Sequence, residues 1–141
     1  GDIHFSKKVE CDVENVRVPS MILQPVVENA VNHGIRNIDW EGHIDLSVEK
    51  WNDHIEISVR DNGLGMTGEQ IQRVLSKKVH SSSGEGDSTG IGMNNVISRL
   101  ELYYERDGLM EIYSEGEGMG TEVVINIPLE RSEKNVQNPD C

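Results

Sequence analysis

The sequence predicts an α+β fold, a two-layer α/β sandwich, on three observations. Segments that alternate apolar and polar residues, the mark of half-buried strands, fall in hairpin-like groups. Three segments of helical periodicity lie among them, and no internal repeat or interdomain linker divides the chain. At 141 residues there is room for one core, burying about 70% of the unfolded chain's surface. A single domain over residues 1–141 is therefore expected, ordered from about residue 2 to 129, with a charged, frayed tail over 130–141.

Ile3, Phe5, Val9, Cys11 and Val13 occupy alternate positions, with Lys7 interrupting, which predicts an exposed-edge strand over Ile3–Val13. An apolar stretch opens at Pro19-Ser20, and Pro25 falls where the first turn of a helix tolerates a missing N–H. A helix over Pro25–His33 follows, with Gly34 as its stop. Ile44, Leu46 and Val48, then Ile55, Ile57 and Val59, alternate on either side of Trp51-Asn52-Asp53, an antiparallel hairpin. Thr67-Gly68-Glu69-Gln70 has capping-box spacing before Ile71, Val74 and Leu75 and starts a short helix ending near Lys78. Ser81–Gly90 is all Ser, Gly, Thr and acids, with nothing to bury, and predicts a mobile loop or lid. Met93, Val96, Ile97, Leu100 and Tyr104 repeat at helical spacing up to Asp107-Gly108. Strands over Leu109–Ser114 and Thr121–Pro128 close the fold around the glycine-rich turn 115–120.

Lys and Arg number 13 against 25 Asp and Glu, a formal net charge of −12. Attraction to nucleic acid or anionic lipid is thereby excluded as a driving force, so any bound polyanion must be held by local chemistry. No apolar run approaches the roughly 18 residues of a membrane span, so the chain reads as soluble. The two cysteines, Cys11 and Cys141, form no close-spaced pair, in keeping with a reducing compartment. The chain shows no basic n-region followed by an apolar h-region, and from its opening at Gly1-Asp2 it is expected to be a domain of a longer protein.

The P-loop and His-Glu-x-x-His signatures are absent, and Asp61-Asn62-Gly63 lacks the spacing of a calcium loop. Three features are left. Asn29, Asn32, His33 and Arg36 share one helical face, either as a polar binding stripe or as an ordinary solvated one. Asp61, at a strand end before Gly63 and Gly65, is placed to accept from an amino group on a flat heterocycle, or to close an Asx-turn. Gly90-Ile91-Gly92 precedes a helix whose free N–H groups can meet a phosphate, or is simply a flexible helix start.

Four segments share an order and spacing with a known family: Leu23-Gln24-Pro25-Val26-Val27-Glu28-Asn29-Ala30; Asp61-Asn62-Gly63-Leu64-Gly65-Met66; Gly90-Ile91-Gly92-Met93-Asn94-Asn95-Val96-Ile97-Ser98-Arg99-Leu100; and Gly120-Thr121-Glu122-Val123. They resemble the N, G1, G2 and closing Gly-Thr boxes of sensor histidine kinases, the ATP-binding superfamily shared with gyrase, Hsp90 and MutL. Their wording is similar to the LytS/YesM-type branch. The resemblance covers about Pro19 to Pro128.

It implies a Bergerat fold, a mixed sheet with helices on one face and ATP held under a flexible lid over about residues 76–90. It implies that Asn29 coordinates Mg²⁺ bridging the phosphates, that Asn32 and His33 lie near the nucleotide, and that Asp61 accepts from the adenine amino group. Gly63, Gly65 and Met66 would shape the adenine pocket; Gly90, Gly92 and Met93 would offer backbone contacts to the phosphates, and Thr121 would close the floor. The implied activity is transfer of the γ-phosphoryl of ATP to a histidine on a dimerisation domain outside this chain. Its partners would be that helical domain, a response regulator and a second copy in a full-length homodimer. The setting would be the cytoplasmic part of a membrane-anchored sensor. The rivals are an anti-sigma-type serine kinase and a nucleotide-sensing module without transfer.

The chain departs from the family in three places. Asn32 stands where many relatives carry Lys, a charge that Arg36 or His33 replaces only in part. Phe5 is the sole Phe, so the Phe-containing lid box is absent. Pro25 occupies the turn where hydrolysing relatives place a water-activating Glu, and Glu28 lies about 100° round the helix from Asn29. His4-Phe5 superficially resembles an acceptor dipeptide but falls in a predicted strand; His43, His54 and His80 read as hairpin and lid residues.

Overall fold

The structure, a computed structural model, describes residues 3–9, 22–36, 38–76 and 88–129. Strands β1 (Ile3–Val9), β2 (Gly42–Lys50), β3 (His54–Asp61), β4 (Met110–Tyr113) and β5 (Thr121–Pro128) form one sheet in the order β1-β2-β3-β5-β4. β1 runs parallel to β2 and every other pair is antiparallel, so the sheet is mixed as expected. Helices α1 (Leu23–Asn29), α2 (Gly68–Leu75) and α3 (Ser88–Tyr104) form the second layer, and α1 runs on into a π-helical segment, Ala30–Ile35.

Strand alternation explains how the layers meet. Ile55, Ile57, Val59 and Asp61 take the core-facing positions of β3, and Thr121, Val123, Ile125 and Ile127 those of β5. Val26, Ala30 and Ile35 from the first helix, Val74 from α2, and Met93, Val96, Ile97 and Leu100 from α3 pack against them. The apolar rows stop at Asp61 and Thr121, register partners across β3 and β5. These two are the buried polar side chains among the described residues. A row of burial thus ends in a carboxylate, at the wall of a cleft.

Several boundaries differ from expectation. β1 is exposed throughout, as an edge strand should be, but residues 10–13 of the expected strand lie outside the described residues. So do Pro19-Ser20, Lys78, His80, both cysteines, most of the expected lid (77–87) and the tail 130–141. Gly34 is not the stop of the first helix: the chain switches to π winding at Ala30, with Arg36 N–H donating to Val31 O at 2.9 Å, and continues through Gly34 to Ile35. α3 begins at Ser88, so Gly90 and Gly92 lie within its first two turns rather than before it. It ends at Tyr104, where Glu105 takes the left-handed conformation (φ 56°) that a glycine would ordinarily supply, ahead of Asp107-Gly108. The capping box forms as expected: Gln70 N–H donates to Thr67 Oγ1 at 3.1 Å and Thr67 N–H to Gln70 Oε1 at 2.8 Å. Among the described residues no helix is long and apolar enough to cross a membrane.

Candidate functional site

A cleft of about 560 Å³ opens between the first helix, α2, and the loops after β3 and β4. That is within the range of small-molecule sites. Asp61 forms its base. The Asp61 side chain is inward because it takes the next core-facing position after Val59, and Oδ1 accepts the Gly63 N–H at 2.9 Å. Burial pushes its carboxyl pKa up, opposed in part by hydrogen bonds from the Gly63 and Thr121 backbone. Asn62 fixes the strand end beside it: its Oδ1 accepts from His43 N–H at 2.7 Å and its Nδ2 donates to Glu41 O at 3.0 Å. Trp40 Nε1 donates to Asn62 O at 2.8 Å, holding the same loop from outside.

The π segment brings the first helix directly onto this carboxylate. A Cβ at Gly34 would lie 2.7 Å from Asp61 Oδ1 and 2.9 Å from Oδ2, so only glycine passes. Gly34 O accepts from Leu64 N–H at 2.8 Å, and a Cβ at Gly63 would lie 1.7 Å from that oxygen. Gly63 therefore shapes the site by allowing helix and loop to touch, and does not itself line the cleft. Gly65 has φ 79° and faces the Gly116 carbonyl. Ser114 fastens this loop to the closing turn: its Oγ accepts from Met66 N–H at 3.0 Å and donates to Gly120 O at 2.6 Å.

π winding also changes which side chains share a face. With the ladder stretched to i→i+5, residues i and i+4 align better than i and i+3. Asn29 and His33 line the cleft, whereas Asn32 and Arg36 line a separate groove with Ile3, Val31, Ile35, Ile38, Trp40 and Gly42. The four-residue stripe read from the sequence is therefore split between two surfaces. Of the other expected residues, Asp61, Gly65, Met66 and Thr121 line the cleft. Gly92 does not, and Met93 is a core side chain, 1% exposed. Gly90 lies in the first turn of α3, whose N–H groups have no intrahelical acceptor. Gly34, Leu64, Thr67, Gln70, Arg73, Val74, Glu117 and Gly118 also line the cleft and were not foreseen.

Asn29 Oδ1 is buried and has no hydrogen-bond partner. A carbonyl oxygen so placed can be satisfied by a water, a ligand donor or a cation. The described residues gather no group of three or more His, Cys, Asp and Glu that could hold a metal. A hard divalent cation fits only if it arrives with phosphate oxygens, with Asn29 adding one more ligand.

The family profile described as histidine kinase-, DNA gyrase B-, and HSP90-like ATPase matches residues 18–131. The chain belongs to this ATPase family. The sensor histidine kinase YpdA of Escherichia coli is 33% identical over 125 residues, covering 84% of this chain and 19% of that protein. The sensor histidine kinase/phosphatase LytS of Staphylococcus aureus is 31% identical over 135 residues, covering 95% and 22%. The chain thus spans about one-fifth of the length of these relatives. Among solved structures, the catalytic domain of histidine kinase ThkA aligns with a TM-score of 0.65 at 20% identity, over 90% of this chain and 80% of that one. The mycobacterial sensor histidine kinase MprB aligns at 0.61 and 18%, over 91% and 83%. These likenesses bear out the expected fold, and membership of the ATPase family makes this a nucleotide-binding domain.

Proposed function

We propose that the cleft binds ATP and that, within a longer sensor histidine kinase, it presents the γ-phosphoryl to a histidine. The observation that carries this reading is the buried Asp61 carboxylate in a cleft that Asn29, whose Oδ1 has no hydrogen-bond partner, also lines. In this reading Asp61 accepts from the adenine amino group, while Gly65, Met66 and Leu64 flank the ring and Thr121 closes the floor. Asn29 and His33 face the phosphates, with the first turn of α3 at Gly90. Mg²⁺ arriving with the triphosphate would neutralise phosphate charge, with Asn29 Oδ1 as its protein ligand.

Phosphoryl transfer demands positioning and charge stabilisation more than covalent chemistry from the protein. On the first helix no carboxylate faces the cleft: Glu28 is exposed and accepts from Gln24 Nε2 at 3.0 Å. Water activation from that helix, worth about 10²- to 10⁴-fold, is accordingly missing, and a γ-phosphoryl can wait for a protein acceptor. Transfer breaks the bond from phosphorus to the bridging oxygen of ADP and forms one to an imidazole nitrogen. The partners in this reading are a dimerisation helix pair carrying that histidine, a second copy of the full-length protein and a response regulator. The cleft would work on the cytoplasmic side of a membrane-anchored sensor.

Labelling the full-length protein with γ-labelled ATP tests this. Acid-labile, base-stable label on histidine is expected, with none on this domain alone. Label on serine would select an anti-sigma-type kinase, and binding without transfer a nucleotide sensor.

A further inference from the structure

Resting on the nucleotide reading above, we propose that Arg73 of α2 supplies the cationic contact to the nucleotide's polyphosphate. The polyanion needs such a contact: the chain carries a formal charge of −12, and Asp61 and Glu117 add two carboxylates to the cleft wall. The family resemblance looks for that charge on the first helix. There the structure withholds it, because Asn32 and Arg36 line the separate groove beside Ile3 and Trp40. Among the residues lining the cleft, Arg73 is the one Lys or Arg.

Its position along the cleft matches the phosphate end rather than the base end. Arg73 lies in the last turn of α2, next to Val74, whose carbonyl accepts from Asn94 Nδ2 at 2.7 Å. Asn94 is two residues beyond Gly92 on α3, so this bond ties the last turn of α2 to the beginning of α3. Asp61, at the opposite limit, is enclosed by Gly34, Gly63 and Thr121. A ligand whose base reaches Asp61 and whose phosphates extend past Asn29 toward α3 runs beside Arg73. The planar guanidinium fork suits phosphate oxygens.

Calorimetric titration of the 141-residue chain with Mg-ATP and, separately, with adenosine tests the assignment. Arg73→Gln should weaken Mg-ATP binding about tenfold, a charge-assisted hydrogen bond's lower value, and flatten its salt dependence while leaving adenosine affinity unchanged. Arg73→Lys should recover most of the loss. Unaltered Mg-ATP affinity in Arg73→Gln would overturn the proposal, as would a parallel fall in adenosine affinity, which marks a structural role. Should the unsubstituted chain bind neither ligand, the nucleotide reading itself is refuted, and the proposal with it.

Discussion

Gly34→Ala tests how closely the first helix is fitted to the Asp61 carboxylate. In an unconstrained helix interior the change would stabilise by about 1 kcal/mol, because alanine loses less backbone entropy. Here the new methyl would sit 2.7 Å from Asp61 Oδ1, 2.8 Å from Cγ and 2.9 Å from Oδ2. The helix cannot simply withdraw, since Gly34 O holds Leu64 N–H at 2.8 Å. Overpacking of this kind costs about 1–3 kcal/mol, so the net effect is a loss of up to about 2 kcal/mol. In an Asp61→Ala background the overlap is gone and the same substitution should stabilise by up to about 1 kcal/mol. Urea unfolding of the four proteins gives the coupling between the sites, expected at about 1–3 kcal/mol. Stabilisation by Gly34→Ala in both backgrounds would refute the reasoning.

Asp61→Asn should remove a buried charge. Because burial raises the Asp61 pKa, the native chain gains stability as pH falls through that raised value and carries the full penalty above it. At neutral pH the Asn variant should therefore match or exceed the native chain in unfolding experiments, with the difference closing toward acid; a variant less stable at neutral pH than in acid, relative to the native chain, would contradict this. Asn29→Ala removes an oxygen that has no protein partner, so stability without nucleotide should hold while the Mg²⁺ enhancement of ATP binding disappears; calorimetry with and without Mg²⁺ decides, and an intact enhancement counts against the assigned ligand.

The strands and α2 were legible because their signals are local. Alternation over Ile55, Ile57 and Val59 extends naturally to Asp61, so the burial of that carboxylate was already written in the period of the strand. The capping box of Thr67 and Gln70 reads the same way. The π segment was not legible: its residues carry no signal distinguishing i→i+5 from i→i+4 bonding. That one change sends Asn32 and Arg36 to another surface. Arg73, which lines the cleft, and Ser114, which fastens the loop after β3 to the closing turn, were missed for a different reason, since contacts between elements far apart in the chain place them. The start of α3 was placed too late because Ser88, Thr89 and Gly90 lack the apolar periodicity by which the helix was recognised.

The most direct test of the central claim, that Asp61 at the cleft base reads the adenine amino group, is calorimetric comparison of ATP and GTP binding to this chain with Mg²⁺ present. Guanine sets a carbonyl against the carboxylate, and losing a charged hydrogen bond worth about 1.5–3 kcal/mol predicts GTP binding about 10- to 150-fold weaker. Equal affinities for ATP and GTP would contradict it.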